Sequence, residues 1–373
     1  MGLSMSMPCA GIMTSGWWDR DATGTATPLV VRQQGSPAFH VQALHLMAAT
    51  CKSKPPRARS RPSSAAGPPT DAQGASLSSQ LLESRAAMAI VEGWYPPTRE
   101  NWETTVLTFQ ILYPALFISW YGMGKTSVRS AFNLPGRVAW VLMEMPGFTT
   151  VLYMMKTLPR MHGIDDLPWQ NRVLAGLFVI HYIYRAVVFP LIQPSMSPIH
   201  VLVALMAAGF QVLNGVGIGA WLAAYGPVTA EAWAARSSVA QFCVGIAIFY
   251  VGLAANFFHD EELREIRRAE KRRRQRVLDR QGGAGGAASV EKHYQIPQAG
   301  LFKHVLYAHY LCEWVEWFGF LVAAGWGCVP AWTFLVNEVF AMLPRAVKGK
   351  KWYVEKFGED KIRKRWAVLP GVV

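Results

Sequence analysis

From about residue 104 onward the chain carries its apolar residues in long blocks, roughly 104–123, 137–155, 173–192, 199–225, 239–258, 301–324 and 329–343. Most reach or approach the ~20 residues a helix needs to cross hydrocarbon, the last being short. A bilayer interior offers no water to unpaired peptide groups, so only helices and closed β-barrels cross it. Barrel strands would show segments of about ten residues alternating in polarity, and none do. The expected fold class is therefore all-α, a polytopic membrane protein of about seven helices in one bundle. Composition agrees: charged residues are 16% of the chain, below the ~25% usual in soluble domains. A disulfide scaffold and a mainly disordered chain are both excluded.

Lys and Arg set the orientation. Lys125 and Arg129 follow the first block, Arg is dense after the fifth, and nine basic residues lie between Arg345 and Arg365. Connections after blocks four and six carry almost none. By the positive-inside rule the odd-numbered connections and the C-terminus face the cytosol, which an odd number of helices requires. The formal net charge of +13 suits anionic lipid or a phosphorylated ligand on that face. Nucleic acid fits less well, because no basic stretch is interleaved with aromatic residues. The five cysteines (Cys9, Cys51, Cys243, Cys312, Cys328) form no C-x-x-C pair and keep no zinc-finger spacing, so no metal site is expected.

Residues 1–87 differ from the remainder. Their Pro-, Ser- and Arg-rich run at 52–64, with Gly/Ala/Ser filler after it, cannot bury enough apolar surface to offset ordering entropy. The reading is a disordered extension of 1–87 before a membrane domain of 88–373, with Met88 a natural start. A transit peptide and an erroneously included upstream exon both stand as explanations.

Inside the apolar blocks sit Glu144, His181, Arg185, Asn214, Asn256, His309, Glu313 and Glu316. An ionised side chain at a helix centre costs ~2.5–3.5 kcal/mol on insertion scales, so these should face the bundle interior. Eight in one small bundle exceed what packing needs. Two motif-like stretches carry nothing: Gly122-Met-Gly-Lys-Thr-Ser lacks the first glycine of a phosphate loop, Ser119 standing there, and Gly215-Val-Gly-Ile-Gly reads as close helix packing.

His181-Tyr-Ile-Tyr-Arg185 ahead of Pro190 resembles the H-Y-x-x-R of the steroid 5α-reductases. Trp140 to Pro146 is similar to that family's W-x-x-x-E-x-P, and Asn214-Gly215 to an Asn-Gly in its fourth helix. Phe242, Gly245, Gly252, Asn256, Asp260, Arg264 and Arg267 keep the family's spacing. Tyr294 to Phe302 resembles Y-x-I-P-x-G-G-L-F, and Tyr310, Glu313, Glu316, Trp317 and Gly319 fall on N-Y-x-x-E-x-x-E-W-x-G. Arg345-Ala346 and Trp352-Tyr353 match R-A…W-Y. The resemblance spans about residues 136–370.

It implies an enzyme of the endoplasmic reticulum membrane that reduces a carbon–carbon double bond conjugated to a carbonyl, with NADPH as donor and a lipophilic, steroid-like substrate. The residue types suit that chemistry. Hydride addition at the β-carbon drives negative charge onto the carbonyl oxygen, which preorganised donors must meet. Glu144, if apolar surroundings keep it protonated, and Tyr182, a neutral donor, are the expected catalytic pair. Arg185, Arg264, Arg267 and Arg345 could fork onto phosphates. Asn256, Asp260, Tyr294, His309, Glu313 and Tyr353 would hold the rest of the cofactor, and Glu313 and Glu316 could instead be structural ion pairs. Departures fall in the cofactor region: Ala299 for a glycine, His309 for Asn, Gly349 and Lys350 for histidines. There is also a basic, Gly-rich insertion at 268–293, whose arginines are expected to lie on the anionic lipid surface. A very-long-chain enoyl-CoA or polyprenol reductase is the rival on the same fold. Tyr184, where the enoyl-CoA type has Lys, speaks against the former. A non-catalytic lipid-binding or transport protein is the rival of another class, and no internal repeat supports it.

Overall fold

The computed structural model describes residues 89–111, 129–280 and 294–372. The 1–87 extension, the later part of the first apolar block, the Gly122–Ser127 stretch and the Gly-rich end of the insertion lie outside them. Among the described residues the helices are α1 (Arg99–Ile111), α2 (Gly136–Met161), α3 (Trp169–Tyr182), α4 (Val201–Ala220), α5 (Ala230–Arg236), α6 (Val239–Arg280), α7 (Ala308–Ala324), α8 (Val329–Phe357) and α9 (Glu359–Ile362). The only strands among them are two residues each, β1 (Asn133–Leu134) and β2 (Ile199–His200). They pair antiparallel, with Asn133 opposite His200 and Leu134 opposite Ile199. The chain is an all-α polytopic membrane protein, and among the described residues four stretches are long and apolar enough to span: Gly136–Met161, Trp169–Ile192, Val201–Tyr225 and Val239–Val277.

The third of those blocks is not one uniform helix. After Tyr182 the chain widens into a π-helix over Ile183–Val188 before a last α-turn, Phe189–Ile192. Pro190 has no N–H to give the Ala186 carbonyl, and a helix relieves such a gap by widening or kinking. Blocks six and seven differ from their expected limits. Residues 300–303 form a 3₁₀ turn and Val305 pairs with Trp366, so α7 begins at Ala308 and has 17 residues. In compensation α8 runs past Pro344 to Phe357, 29 residues in all.

Small residues set how closely the helices approach. A Cβ at Gly252 would stand 2.6 Å from the Glu316 Cα and 2.8 Å from the Cys312 carbonyl; one at Gly245 would stand 2.7 Å from the Ala323 Cα, and one at Gly319 2.8 Å from the Phe249 Cα. α6 and α7 therefore touch backbone to backbone, the contact that small residues permit where lipid supplies no hydrophobic drive. Gly215 plays the same part between α4 and α2, 2.8 Å from the Gly147 carbonyl, so the Gly215–Gly219 stretch is a packing device as expected. Trp317 lies at the centre of the core, its ring 4.5 Å from Phe334 and 4.6 Å from His181. At the start of α3, Asn171 is fully buried. Its amide donates to the Leu222 and Pro227 carbonyls (2.7 and 2.9 Å) and accepts from the Trp233 indole (2.7 Å).

Candidate active site

Glu144 lies about a third of the way along α2, one turn before Gly147. The Gln211 amide of α4 donates to its Oε2 at 2.6 Å. A Cβ at Gly147 would meet the Gln211 Oε1 at 2.7 Å and the Tyr182 Cε1 at 3.3 Å. The missing side chain at 147 is thus what lets an amide and a phenol from two other helices sit beside the α2 carboxyl. Tyr182 is buried, its hydroxyl 3.5 Å from the Asn214 Nδ2. The expected acid and phenol are on one side of the bundle, both beside Gly147, with Gln211 bonded to the acid.

Next to them is a chain of charges. His181 is buried with a carboxylate at each ring nitrogen: Glu316 2.8 Å from Nδ1 and Glu313 3.8 Å from Nε2. Glu313 also faces Arg185 (3.8 Å) and accepts weakly from the Asn256 amide (3.4 Å). Arg185 lies 4.0 Å from Asp260 and stacks over Trp140 and Phe189. The Tyr184 hydroxyl donates to Asp260 (3.2 Å) and accepts from Arg264 (3.1 Å), whose Nε donates to Glu261 (2.6 Å). Glu316 is the ion-pair partner of His181, a structural place, whereas Glu313 sits between three polar neighbours. The π-helix makes this reach possible: the Arg185 carbonyl it frees accepts the Trp140 indole N–H at 3.0 Å.

Farther along α6 the Arg267 guanidinium donates to Gln193 Oε1 (3.0 Å), while Arg137 of α2 donates to the Gln193 carbonyl (2.5 Å). Arg267 also acts electrostatically on Tyr294 and Tyr353. Those two tyrosines flank Trp352, whose ring is 4.8 Å from Tyr294 and 5.1 Å from Tyr353. His309 packs on Tyr310 (4.5 Å), and Arg345 lies within electrostatic range of that same tyrosine. All twelve expected site residues thus belong to one continuous tract of α2, α3, α6, α7, α8 and the loop at 294. The Gly349 departure has a local cause. A side chain there would collide with the Tyr307 ring, 2.7 Å from its Cε2, and burial pushes the Tyr307 hydroxyl well above the usual phenol range.

A loop is fastened to this tract by His259, which sequence reasoning passed over. Its Nδ1 lies 2.6 Å from the Ala255 carbonyl, and its Nε2 accepts the Leu301 N–H at 3.0 Å. The pairing puts a ring proton on Nδ1. Gly300, at φ 55°, leaves the room for the ring. Gln211, Gln193 and Glu338 were also missed. Glu338 bears the same mark as the eight that were found, a polar side chain within an apolar block.

Two unpaired atoms show what the tract can receive. Arg264 Nη2 and Asn256 Oδ1 are buried without a hydrogen-bond partner among the described residues. Buried polar atoms are seldom left so, and a forked N–H beside an amide oxygen suits an anionic oxygen and a carboxamide. Among the described residues no cluster of His, Cys, Asp and Glu could hold a metal.

The sequence comparisons fit this geometry. The family model for 3-oxo-5-alpha-steroid 4-dehydrogenase matches residues 197–282 and 287–373. A relative from Mus musculus, 3-oxo-5-alpha-steroid 4-dehydrogenase 1, is 32% identical over 241 residues, covering 65% of this chain and 83% of the relative. The chain belongs to the 3-oxo-5-alpha-steroid 4-dehydrogenase family. It is accordingly an oxidoreductase. The chain is also similar to an uncharacterized protein of Schizosaccharomyces pombe, 36% identical over 248 residues (64% of this chain, 84% of the relative). A steroid 5-alpha-reductase of Solanum lycopersicum is 28% identical over 260 residues (68% and 88%).

Proposed function

We propose that this protein reduces the carbon–carbon double bond of a flat, apolar enone taken from the bilayer, most directly a 3-oxo-Δ4-steroid to its 5α product. The observation that carries this reading is the convergence of Glu144, its partner Gln211 and Tyr182 around Gly147, a carboxyl and a phenol offered from two helices inside the bundle.

NADPH, when bound, supplies the hydride. The chain's own groups do the rest. As charge builds on the ketone oxygen, the Tyr182 hydroxyl and the protonated Glu144 carboxyl donate to it, and Gln211 holds the carboxyl in place. Arg185, Arg264, Arg267 and Arg345 would hold the cofactor's phosphates, and Asn256, Asp260, Tyr294, His309, Glu313 and Tyr353 would hold its amide, ribose and adenine. The buried Arg264 Nη2 and Asn256 Oδ1 support that assignment. We place the folded reductase at 88–373, in the endoplasmic reticulum membrane, with seven spans and a cytosolic C-terminus. Anionic lipid is the partner of the basic cytosolic loops.

The insertion's arginines stand differently from the surface-lying segment expected of them. Residues 268–280 continue α6 without a break, and Arg268 and Arg272 pair along the helix with Glu261 and Glu265. A helix unbroken from a spanning segment cannot turn to lie along the lipid surface.

Membranes containing the protein, supplied with NADPH and a Δ4-3-ketosteroid, should yield the 5α-reduced product. Absence of turnover across steroid, enoyl-CoA and polyprenol substrates would overturn the reading.

A further inference from the structure

Gln193 is the residue at which the third apolar block stops being a helix. Pro194 follows it, and the residue before a proline is driven toward extended backbone; Gln193 closes the last α-turn at φ −65°, ψ 131°. Its carbonyl is therefore turned out of the helix ladder, and the residue is buried. Two guanidinium groups converge on it from different helices. Arg137, in the first turn of α2, donates to the Gln193 carbonyl at 2.5 Å, and Arg267 of α6 donates to its Oε1 at 3.0 Å. The chain just beyond Gln193 is pressed onto the start of α2. A Cβ at Gly136 would stand 2.9 Å from the Ser197 carbonyl carbon and 3.1 Å from the Met196 Cβ. The β1–β2 pair closes the same corner, with Leu134 opposite Ile199. Both arginines are thus fixed on a buried support while their side chains stay exposed.

What sets this pair apart is its charge. Arg185, Arg264, Arg268, Arg272, Arg273 and Arg274 each face a carboxylate within 4.0 Å. Arg137 and Arg267 face none among the described residues, and the group that gathers them is a neutral amide. Asp260 acts on Arg267 from farther off, but it is taken up by Arg185 at 4.0 Å and by the Tyr184 hydroxyl at 3.2 Å. Two uncompensated cations held on one residue repel each other, and a group with two negative charges relieves that repulsion. A phosphomonoester carries between one and a half and two charges at neutral pH, with three acceptor oxygens for forked donors. NADPH differs from NADH by one such group, on the ribose next to adenine. Arg267 also lies within electrostatic range of Tyr294 and Tyr353, two residues expected at the cofactor.

We propose that Arg137 and Arg267, spaced by Gln193, form the seat of that ribose phosphate and set the preference for NADPH over NADH, an assignment that rests on the enone-reductase reading. Arg137 lies outside the apolar-block residues that sequence reasoning singled out, and α2 brings it to the site two turns before Glu144. Gln193 touches no phosphate in this assignment. It is a positioning residue that keeps two forks aimed at one place without neutralising either.

The test uses the full-length protein in detergent, titrated calorimetrically with NADPH and with NADH in the absence of substrate. The wild type should bind NADPH at least about tenfold more tightly. Arg137→Ala should weaken NADPH about ten- to hundredfold, as for a lost charged hydrogen bond, and leave NADH within about twofold. Arg137→Lys, which keeps the charge without the fork, should recover part of the loss. Gln193→Glu sets a carboxylate between the guanidiniums and should also weaken NADPH alone. Micelles doped with phosphatidic acid, whose headgroup is a phosphomonoester too, should leave the NADPH Kd within about twofold. Competition by that lipid which Arg137→Ala abolishes would give the pair to lipid and overturn the assignment. An unchanged NADPH-to-NADH ratio in Arg137→Ala, or equal losses for both nucleotides in Arg137→Ala and Gln193→Glu alike, would overturn it as well. If the wild type binds neither nucleotide, the reductase reading falls and takes this inference with it. If the wild type prefers NADPH and Arg137→Ala keeps that preference, only this inference falls.

Discussion

Replacing Gly252 by alanine tests whether the seam between α6 and α7 sets the cofactor site. The new methyl would stand 2.6 Å from the Glu316 Cα, and real Cβ contacts do not fall under 3.0 Å. The obstruction is backbone, which cannot swing aside as a side chain tip can. The Glu316 N lies nearer still, so the helices must part by at least about 0.4 Å to reach that limit and at least about 0.8 Å to reach ordinary contact at 3.4 Å. One turn later Asn256 donates to Glu313 across the same seam at 3.4 Å. Added separation takes that distance to roughly 4 Å, beyond hydrogen bonding. Overpacking of this kind costs about 1–3 kcal/mol, and each kcal/mol is ~2–4 °C in Tm for a chain of this size. Gly252→Ala should accordingly lose about 2–12 °C in Tm and several-fold in NADPH affinity, measured in detergent by thermal unfolding and cofactor titration. Gly209→Ala is the control, since nothing lies within 4 Å of its Cβ position. It should not fall in either measure. If Gly252→Ala matched the wild type in both, the argument that backbone contact fixes the site would be refuted.

Glu144→Gln should lower kcat by about 10²–10³ while Kd for NADPH holds, as for a lost oxyanion donor, and single-turnover kinetics separate the two. Equal loss in both would make Glu144 structural. Arg267→Ala removes a charged donor at the outer end of the tract, so the apparent KM for NADPH should rise roughly ten- to hundredfold with kcat little changed. A cofactor dependence like that of the wild type would take Arg267 out of the site. Asn171→Leu strands two carbonyls and an indole N–H, at about 1–3 kcal/mol per buried group. Tm should drop by several degrees while the folded fraction keeps its kcat, because Asn171 lies about 15 Å up α3 from His181. A loss of kcat with Tm intact would contradict that.

The membrane class was legible because block length and block polarity are properties of sequence alone. So were Glu144, His181 and Arg185, since a charge in an apolar block is conspicuous. Gln211 was not, because an uncharged amide in such a block costs too little to stand out, and its value lies in reaching Glu144 from another helix. Gly147 and Gly252 were equally silent, since what a glycine makes room for is known only when the facing helix is placed. The limits of α7 and α8 were misjudged because hydropathy does not distinguish a 3₁₀ turn from a helix, and Leu301, Phe302, Val305 and Leu306 are apolar in either state. Glu338 lay within reach of the same rule that found Glu144.

α6 runs 42 residues, about 63 Å, twice the thickness of the hydrocarbon, and carries neither glycine nor proline after Gly252. It works as a stiff rod. Asn256 and Asp260 ride on its inner part and Arg272 to Arg276 on its outer part, with no hinge between. A tug or a twist applied to that outer end would reach Asn256 and Asp260 almost undamped.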